Sequence, residues 1–406
     1  MPETGVHGAQ LVLLLLLLFV TTFAALARKI QTPYPIVLVV AGLSLSLMPG
    51  IPKIALDPDL IFLVVLPPLL YAAAWVTSWR DFSRNLVSIA MLAFGLVSFT
   101  VLAVSLVGPW LFAGFDWRIG FVLGATVATT DAIAATSIAK RVGLPKTIVD
   151  LLEGESLIND ATGLLALEFA AAMVVDERYP TVAAGSLRLL YLGVGGIATG
   201  LILGRVVEWV EHRIEDGPVE IAVSILVPYA AYLTAEAIHA SGVLAVVAAG
   251  LYLGGKSSEF LSSGVRLQTR AVWSSLEFIL NGFVFVLIGL QLPSVLAGVR
   301  EFSLNQLLLY GALFSLFLIL LRLLWTFPGA YLAHFIRRRF LNQSDSWPEA
   351  RGIFVVGWTG MRGVLALAAA MSLPKTIANG SAFPHRDLIV FLTFSVILVT
   401  LVFQGV

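Results

Sequence analysis

The sequence predicts an all-α polytopic membrane protein, and three observations carry that prediction. Hydrophobic residues make up 59% of the 406, charged residues only 12%, and the mean hydropathy is +0.94. Soluble domains carry about twice that charged fraction, so lipid is the expected solvent. Apolar runs of about 20 residues, long enough to cross about 30 Å of hydrocarbon, recur along the whole chain. Finally, lysines and arginines alternate in density from loop to loop, as a multi-span topology requires.

Taken in order, thirteen spans are expected: 9–27, 34–50, 59–78, 85–113, 119–139, 149–174, 187–207, 219–238, 241–255, 271–292, 304–335, 350–373 and 387–406. The first run follows a head with Glu3 and no lysine or arginine, which predicts a retained span and not a cleaved signal, although Ala24, Ala25 and Ala27 offer small residues for cleavage. With the N-terminus outside, sixteen basic residues fall in inner loops, among them Arg28, Lys29, Lys140, Arg141, Lys256 and Arg337–Arg339. Seven fall in outer loops: Lys53, Arg118, Arg178, Arg188, Arg300, Lys375 and Arg386. That bias predicts N-out and C-in in a plasma membrane. No polar stretch is long enough for a soluble domain. The sequence ends at Val406 with its last span barely complete, which reads as a fragment.

Several function classes lose support at once. A net charge of zero offers no general attraction to nucleic acid. The absence of cysteine removes disulfides and thiolate chemistry. An intramembrane enzyme lacks its motifs: there is no His-Glu-x-x-His, and Gly154-Glu155-Ser156 lacks the closing glycine of a nucleophile elbow. No cofactor is expected.

Five ionisable residues lie at membrane depth: Asp131, Glu155, Asp160, Arg322 and Arg362. Such groups are costly in lipid and by default mark function. At 1.5 Å per residue, Asp131 lies about 13 Å from the inner end of its span and Asp160 about 15 Å from the inner end of the next. Arg362 is about 16 Å from Arg351, so the charges converge near the midplane. Three carboxylates against two arginines leave one negative charge without a protein partner. In a low-dielectric site it must bind a proton or a cation, and competition between those occupants is the chemistry of an exchanger. A channel would instead want a continuous polar pore.

Helical spacing separates the roles. Ser156 and Asp160 share one face of their helix, and Glu155 points about 140° away from Asp160. Asp160 with the Ser156 hydroxyl suits a small hard cation, whereas Glu155 is better placed to hold an arginine. Thr129-Thr130-Asp131 interrupts span 5 and Thr359-Gly360-Met361-Arg362-Gly363 interrupts span 12. If spans 1–6 and 8–13 are two inverted six-helix repeats, these interruptions correspond, which points to a transporter site at the midplane. Freed threonine carbonyls there would coordinate the cation, and Asp131 and Arg362 would offset the half-helix dipoles.

These residues carry a resemblance. Ala128-Thr129-Thr130-Asp131 with Glu153-Gly154-Glu155-Ser156-Leu157-Ile158-Asn159-Asp160 resembles the paired motif of the monovalent cation:proton antiporters of the sodium/proton exchanger family, bacterial branch. Leu66-Pro67-Pro68-Leu69-Leu70-Tyr71, Arg322-Leu323-Leu324-Trp325 and Gly357-Trp358-Thr359-Gly360-Met361-Arg362-Gly363 match as well, in order along nearly the whole chain. The resemblance implies a homodimer whose protomers cross two discontinuous helices, with dimerisation helices at roughly 1–80 and 187–292 and core helices at roughly 85–175 and 304–406. It implies that Asp160 binds the ion, with Asn159, Asp131, the Thr130 carbonyl, Thr129 and Ser156 around it, that Glu155 pairs with Arg322, and that Arg362 sits at the second crossover. Asn159, in place of a second aspartate, resembles the electroneutral branch. The expected activity is exchange of Na+ for H+, serving internal pH and sodium balance; K+ and Li+ are equally hard cations, and a K+/H+ antiporter is the alternative. Two departures stand out: Tyr71-Ala72-Ala73-Ala74 replaces an acid that many relatives carry in span 3, and the cytoplasmic tail of relatives is absent from this sequence.

Other polar residues within spans read as structural. Glu236 with His239 has metal-ligand spacing but lacks further partners; Glu277 and Glu168 are placed to line an approach or to make local pairs. Trp79, Trp110 and Trp117 sit at span ends as interface anchors.

Overall fold

The computed structural model describes residues 6–48, 57–175, 181–343 and 347–405. Lys53 and Arg178, the span ends at 49–50 and 406, and the side chains of Lys140 and Arg141 lie outside what it describes. Among the described residues the chain is built of helices, with a single isolated β-bridge between Thr376 and Ala382. In order they are α1 (Val6–Lys29), α2 (Tyr34–Ser46), α3 (Pro58–Val76), α4 (Trp79–Leu111), α5 (Trp117–Thr126), α6 (Ala132–Val142), α7 (Lys146–Val175), α8 (Val182–Glu211), α9 (Gly217–Ala237), α10 (Gly242–Phe260), α11 (Ser263–Leu290), α12 (Leu292–Gly298), α13 (Leu304–Phe340), α14 (Ala350–Trp358), α15 (Val364–Ser372) and α16 (Arg386–Phe403). Each of the thirteen expected apolar segments falls on one helix or on a broken pair, α5/α6 and α14/α15. Among the described residues, eight helices are long and apolar enough to cross a bilayer by length and composition: α3, α4, α7, α8, α9, α11, α13 and α16. The short α12 and the turn around 373–385 were not foreseen, because neither has an apolar period to announce it.

Boundaries follow capping chemistry. Asp116, Asp216, Ser241, Ser262 and Ser303 each accept a backbone N–H in the first turn of the helix that follows. Ser78 does the same for Asp81, so α4 begins six residues before the expected span. The last turn of α13 carries Arg337, Arg338 and Arg339, cations that favour a helix C-terminus. Large apolar side chains such as Leu106 and Trp110, 70% and 90% exposed, face outward; water would not tolerate that surface and lipid does.

The helices pack in two groups. In one, α10 lies against α3, α8 and α9. Leu70, Tyr71, Ala231, Val246 and Trp273 fill its centre. In the other, α5 packs on α4 and α7, and α13 packs on α14 and α16, around residues such as Val104, Leu123, Phe314 and Leu367.

Two helices are locally widened to i→i+5 hydrogen bonding, over Ile61–Val65 and Met91–Leu96. In α3 the cause is readable: Pro67 and Pro68 supply no N–H to the preceding turn. The freed Val64 carbonyl accepts from the Tyr229 hydroxyl at 3.1 Å. In α4, Trp325 Nε1 donates to the Met91 carbonyl at 3.0 Å and Thr162 Oγ1 to the Ala93 carbonyl at 2.8 Å. Side chains from α13 and α7 thus complete the widened turn. Trp325→Phe removes one donor and is expected to lower stability by about 1–3 kcal/mol. Thermal unfolding in detergent would measure it; an unchanged midpoint would mean that the Met91 carbonyl finds another partner.

Candidate ion-binding site

The site begins with two helices that stop in the middle of the fold. Helix α5 ends at Thr126 and α6 restarts at Ala132; α14 ends at Trp358 and α15 restarts at Val364. Their breaks touch. The Asp131 N–H donates to the Met361 carbonyl at 2.9 Å, and Arg362 Nε donates to the Val127 carbonyl at 2.7 Å. The two interrupted segments, apart in sequence, therefore cross.

Each break leaves backbone groups without helical partners, and charged side chains answer them by sign. Arg362 bonds the Val127 carbonyl at the end of α5 and also the Gly360 carbonyl. Arg322 performs the same service for α14: its Nε bonds the Gly357 carbonyl at 3.2 Å and an Nη the Val356 carbonyl at 3.0 Å. At the opposite polarity, Asp131 Oδ1 accepts from the N–H groups of Ile133 and Ala134 at 2.9 and 3.2 Å, which caps α6. Its second oxygen lies against Gly363, the residue preceding α15, where any Cβ would strike the carboxylate. One aspartate thus faces the positive ends of two half-helices. Gly360 is constrained likewise, since a Cβ there would overlap Arg322.

Helix α7 supplies the other wall. Glu155 and Arg322, each 1% exposed, form a two-pronged ion pair at 2.5 and 2.8 Å. The next residue, Ser156, donates from Oγ to the Thr130 carbonyl at 2.7 Å, and one turn on from Glu155, Asn159 Nδ2 donates to Thr130 Oγ1 at 2.7 Å. The Thr130 N–H in turn reaches Asn159 Oδ1 at 3.4 Å. Ser156 and Asn159 therefore brace the break at Thr130. Asp160 is half-buried, and its Oδ1 is sealed from solvent without a hydrogen-bond partner. Thr129 Oγ1 is in the same condition.

All the residues singled out by sequence converge here: Thr129, Thr130, Asp131, Glu155, Ser156, Asn159, Asp160, Arg322 and Arg362. Two details differ from expectation. Ser156 spends its hydroxyl proton on the Thr130 carbonyl, so both bring only their remaining lone pairs to an ion. Arg362 offsets the end of α5 through carbonyls, as expected, but forms no ion pair with a carboxylate among the described residues, so two carboxylates, Asp131 and Asp160, and not one, are left without a basic partner. Sequence reasoning missed Thr162, the Val356 and Gly357 carbonyls, and Thr400, whose hydroxyl takes the Arg362 N–H at 3.2 Å. None of these carries a charge in an apolar run, which was the signal used.

The donors are all oxygens, a set suited to a hard cation or a proton. Among the described residues no group of three or more His, Cys, Asp or Glu is arranged to hold a metal. A cavity of about 600 Å³ comes within one residue of Asp160 at Ala161 and opens past Glu168, Arg188, Tyr232, Glu236 and His239. Within it Glu168 is bound to Arg188 at 2.8 Å.

A family model described as "Sodium/hydrogen exchanger, transmembrane" matches residues 14–406. The chain belongs to the sodium/hydrogen exchanger family. It is therefore an integral, multi-pass membrane protein of a transporter family. It is 34% identical over 387 residues to a sodium, potassium, lithium and rubidium/H+ antiporter of Bacillus pumilus, covering 92% of this chain and 57% of that one. It is 29% identical over 376 residues to the Na+/H+ antiporter ApNhaP of Aphanothece halophytica, covering 92% and 68%. The chain thus spans little more than half the length of the Bacillus pumilus relative. In fold it resembles the sodium proton antiporter MjNhaP1 of Methanocaldococcus jannaschii, with a TM-score of 0.76 at 20% identity over 99% of this chain and 100% of that one.

Glu155→Ala would strand Arg322 in a closed site, and a broken buried pair costs about 3–5 kcal/mol. The expected result is a large drop in the thermal midpoint of the purified protein. A variant as stable as the wild type would remove the structural role assigned to the pair.

Proposed function

We propose that this chain is a secondary antiporter that exchanges Na+ for H+ at Asp160. The observation that carries the proposal is the sealed, unpartnered oxygen of Asp160 beside a second carboxylate, Asp131, that also lacks a cationic partner. A carboxylate so placed holds either a proton or a cation, and each occupant displaces the other. Thr129, the Thr130 carbonyl, Ser156 and Asn159 complete or brace the shell, and Asp131 acts directly or through water.

Alternating exposure of that site needs one part of the molecule to move against another. In this reading α4–α7 and α13–α16 form the moving core, rigidified by Glu155–Arg322 and the arginine-capped breaks. Helices α1–α3 and α8–α11 form the static scaffold and carry the homodimer contact. The protein lies in the plasma membrane with its N-terminus outside and its C-terminus in the cytoplasm, and serves internal pH and sodium balance. Because Asn159 is neutral, one carboxylate exchanges one cation for one proton and the cycle moves no net charge. The name of the Bacillus pumilus relative includes potassium, which favours a second reading, a K+/H+ antiporter built on the same site.

Proteoliposomes with an internal pH dye test both readings. Adding Na+ is expected to release protons at the same rate at zero and at negative membrane potential, and Asp160→Asn is expected to abolish the signal while remaining folded. Activation by K+ alone would select the second reading. Near-normal exchange by Asp160→Asn would overturn the site.

A further inference from the structure

A second buried acidic site lies away from the helix crossing, in the packing group of α3, α8, α9 and α11. Glu211 ends α8 and Glu220 lies in the first turn of α9; they are 3% and 6% exposed, and each has an oxygen sealed from solvent with no hydrogen-bond partner. The two carboxylates interact electrostatically.

Two neutral hydroxyls in the same condition lie beside them. Helices α9 and α11 run in the same direction: Gly217 approaches Val265, and Trp273 Nε1 donates to Ser224 Oγ at 3.2 Å. Between these contacts, one turn before Ser224 and Trp273, stand Glu220 and Thr269. Thr269 is 1% exposed and its Oγ1 has no partner. From α3, the Tyr71 ring lies 5.0 Å from that of Trp273. Tyr71 is fully buried, its hydroxyl has no partner, and it interacts electrostatically with Glu211.

The neighbouring charges are committed elsewhere. Arg205 and Lys256 bind Glu208 at 2.8 and 3.0 Å, and Tyr252 donates to the same carboxylate at 2.6 Å. Arg213 stacks on Trp209 at 3.6 Å. His212 Nδ1 bonds the Glu208 carbonyl at 2.7 Å. Asp216 caps α9 and adds further negative charge near Glu220. On α11, Arg266 and Arg270 form no ion pair with either glutamate.

Two carboxylates closed off from water require positive charge. Four sealed oxygen groups that carry two carboxylate charges and have no basic partner suit one hard divalent cation, with water completing its shell. We propose that Glu211, Glu220, Thr269 and Tyr71 form a binding site for Mg2+ or Ca2+, on the side that the basic loops place in the cytoplasm. The ion ties α8 and α9 to α3 and α11, within the group read above as the scaffold. Protons compete for it, so occupancy falls as the pH falls.

Equilibrium dialysis of the purified chain in detergent, with Ca2+ or Mg2+ alone at neutral pH, tests this without any transport measurement. Saturable binding is expected in the wild type and in Asp160→Asn, and is expected to be lost in the Glu211→Gln/Glu220→Gln double variant. Thr269→Val is expected to weaken it about ten-fold while eluting as the folded protein. Absence of saturable binding in the wild type would overturn the proposal. So would binding lost in Asp160→Asn, binding kept in the double variant, or affinity unchanged in Thr269→Val and at lowered pH.

Discussion

The centre of this molecule depends on the satisfaction of four broken helix ends in an apolar interior. A helix that stops inside lipid-facing protein strands carbonyls at one end and N–H groups at the other, and hydrocarbon offers no replacement partner. Here the two carbonyl ends are met by arginines and the two N–H ends share one aspartate. Arg362 holds α5, Arg322 holds α14, and Asp131 caps α6 while facing the start of α15. Together with the backbone bond from the Asp131 N–H to the Met361 carbonyl, these contacts hold the breaks crossed.

From this constraint follows the division of labour among the buried charges. An arginine that bonds carbonyls does not cancel a charge, so Arg322 still needs an anion, and Glu155 supplies it through both oxygens. Arg362 bonds carbonyls as well, leaving its charge near the breaks without a directly bound carboxylate. Asp160 stands outside every such bond. The same architecture that spends Asp131 and Glu155 on structure leaves Asp160 unspent. Sealing its Oδ1 from water is what, in the proposed reading, makes it answer to protons and small cations, because a solvated carboxylate would be content with water.

The bracing of Thr130 adds a mechanical element. Ser156 and Asn159 clamp the broken backbone from α7, and α7 also carries Glu155 and Asp160. Any displacement of α7 therefore moves Asp160 and the break together. The i→i+5 turn in α4, completed by Thr162 of α7 and Trp325 of α13, links the same elements. Helices cross-linked in this way are suited to the rigid moving core of the proposed reading.

Much of this was legible in the sequence. Span positions follow from hydropathy, which is a local property. The breaks were visible because Thr129-Thr130-Asp131 and Thr359-Gly360-Met361-Arg362-Gly363 put polar residues and glycine where apolar helix should continue. Charges inside apolar runs marked Asp131, Glu155, Asp160, Arg322 and Arg362, since lipid makes each of them conspicuous. What remained hidden was uncharged or distant: Thr162 and Thr400 look like ordinary span residues, and Tyr71 and Thr269 give no local sign that their hydroxyls lack partners. The sequence by itself determined the solvent, the helices, the two interruptions and the inventory of buried charge, all set by neighbours along the chain. Only the tertiary structure decided which carbonyls Arg362 serves, that it pairs with no carboxylate among the described residues, and that Asp131 caps α6 while facing the start of α15. Those outcomes rest on contacts between residues as far apart as Val127 and Arg362, where packing and not local propensity selects the partner.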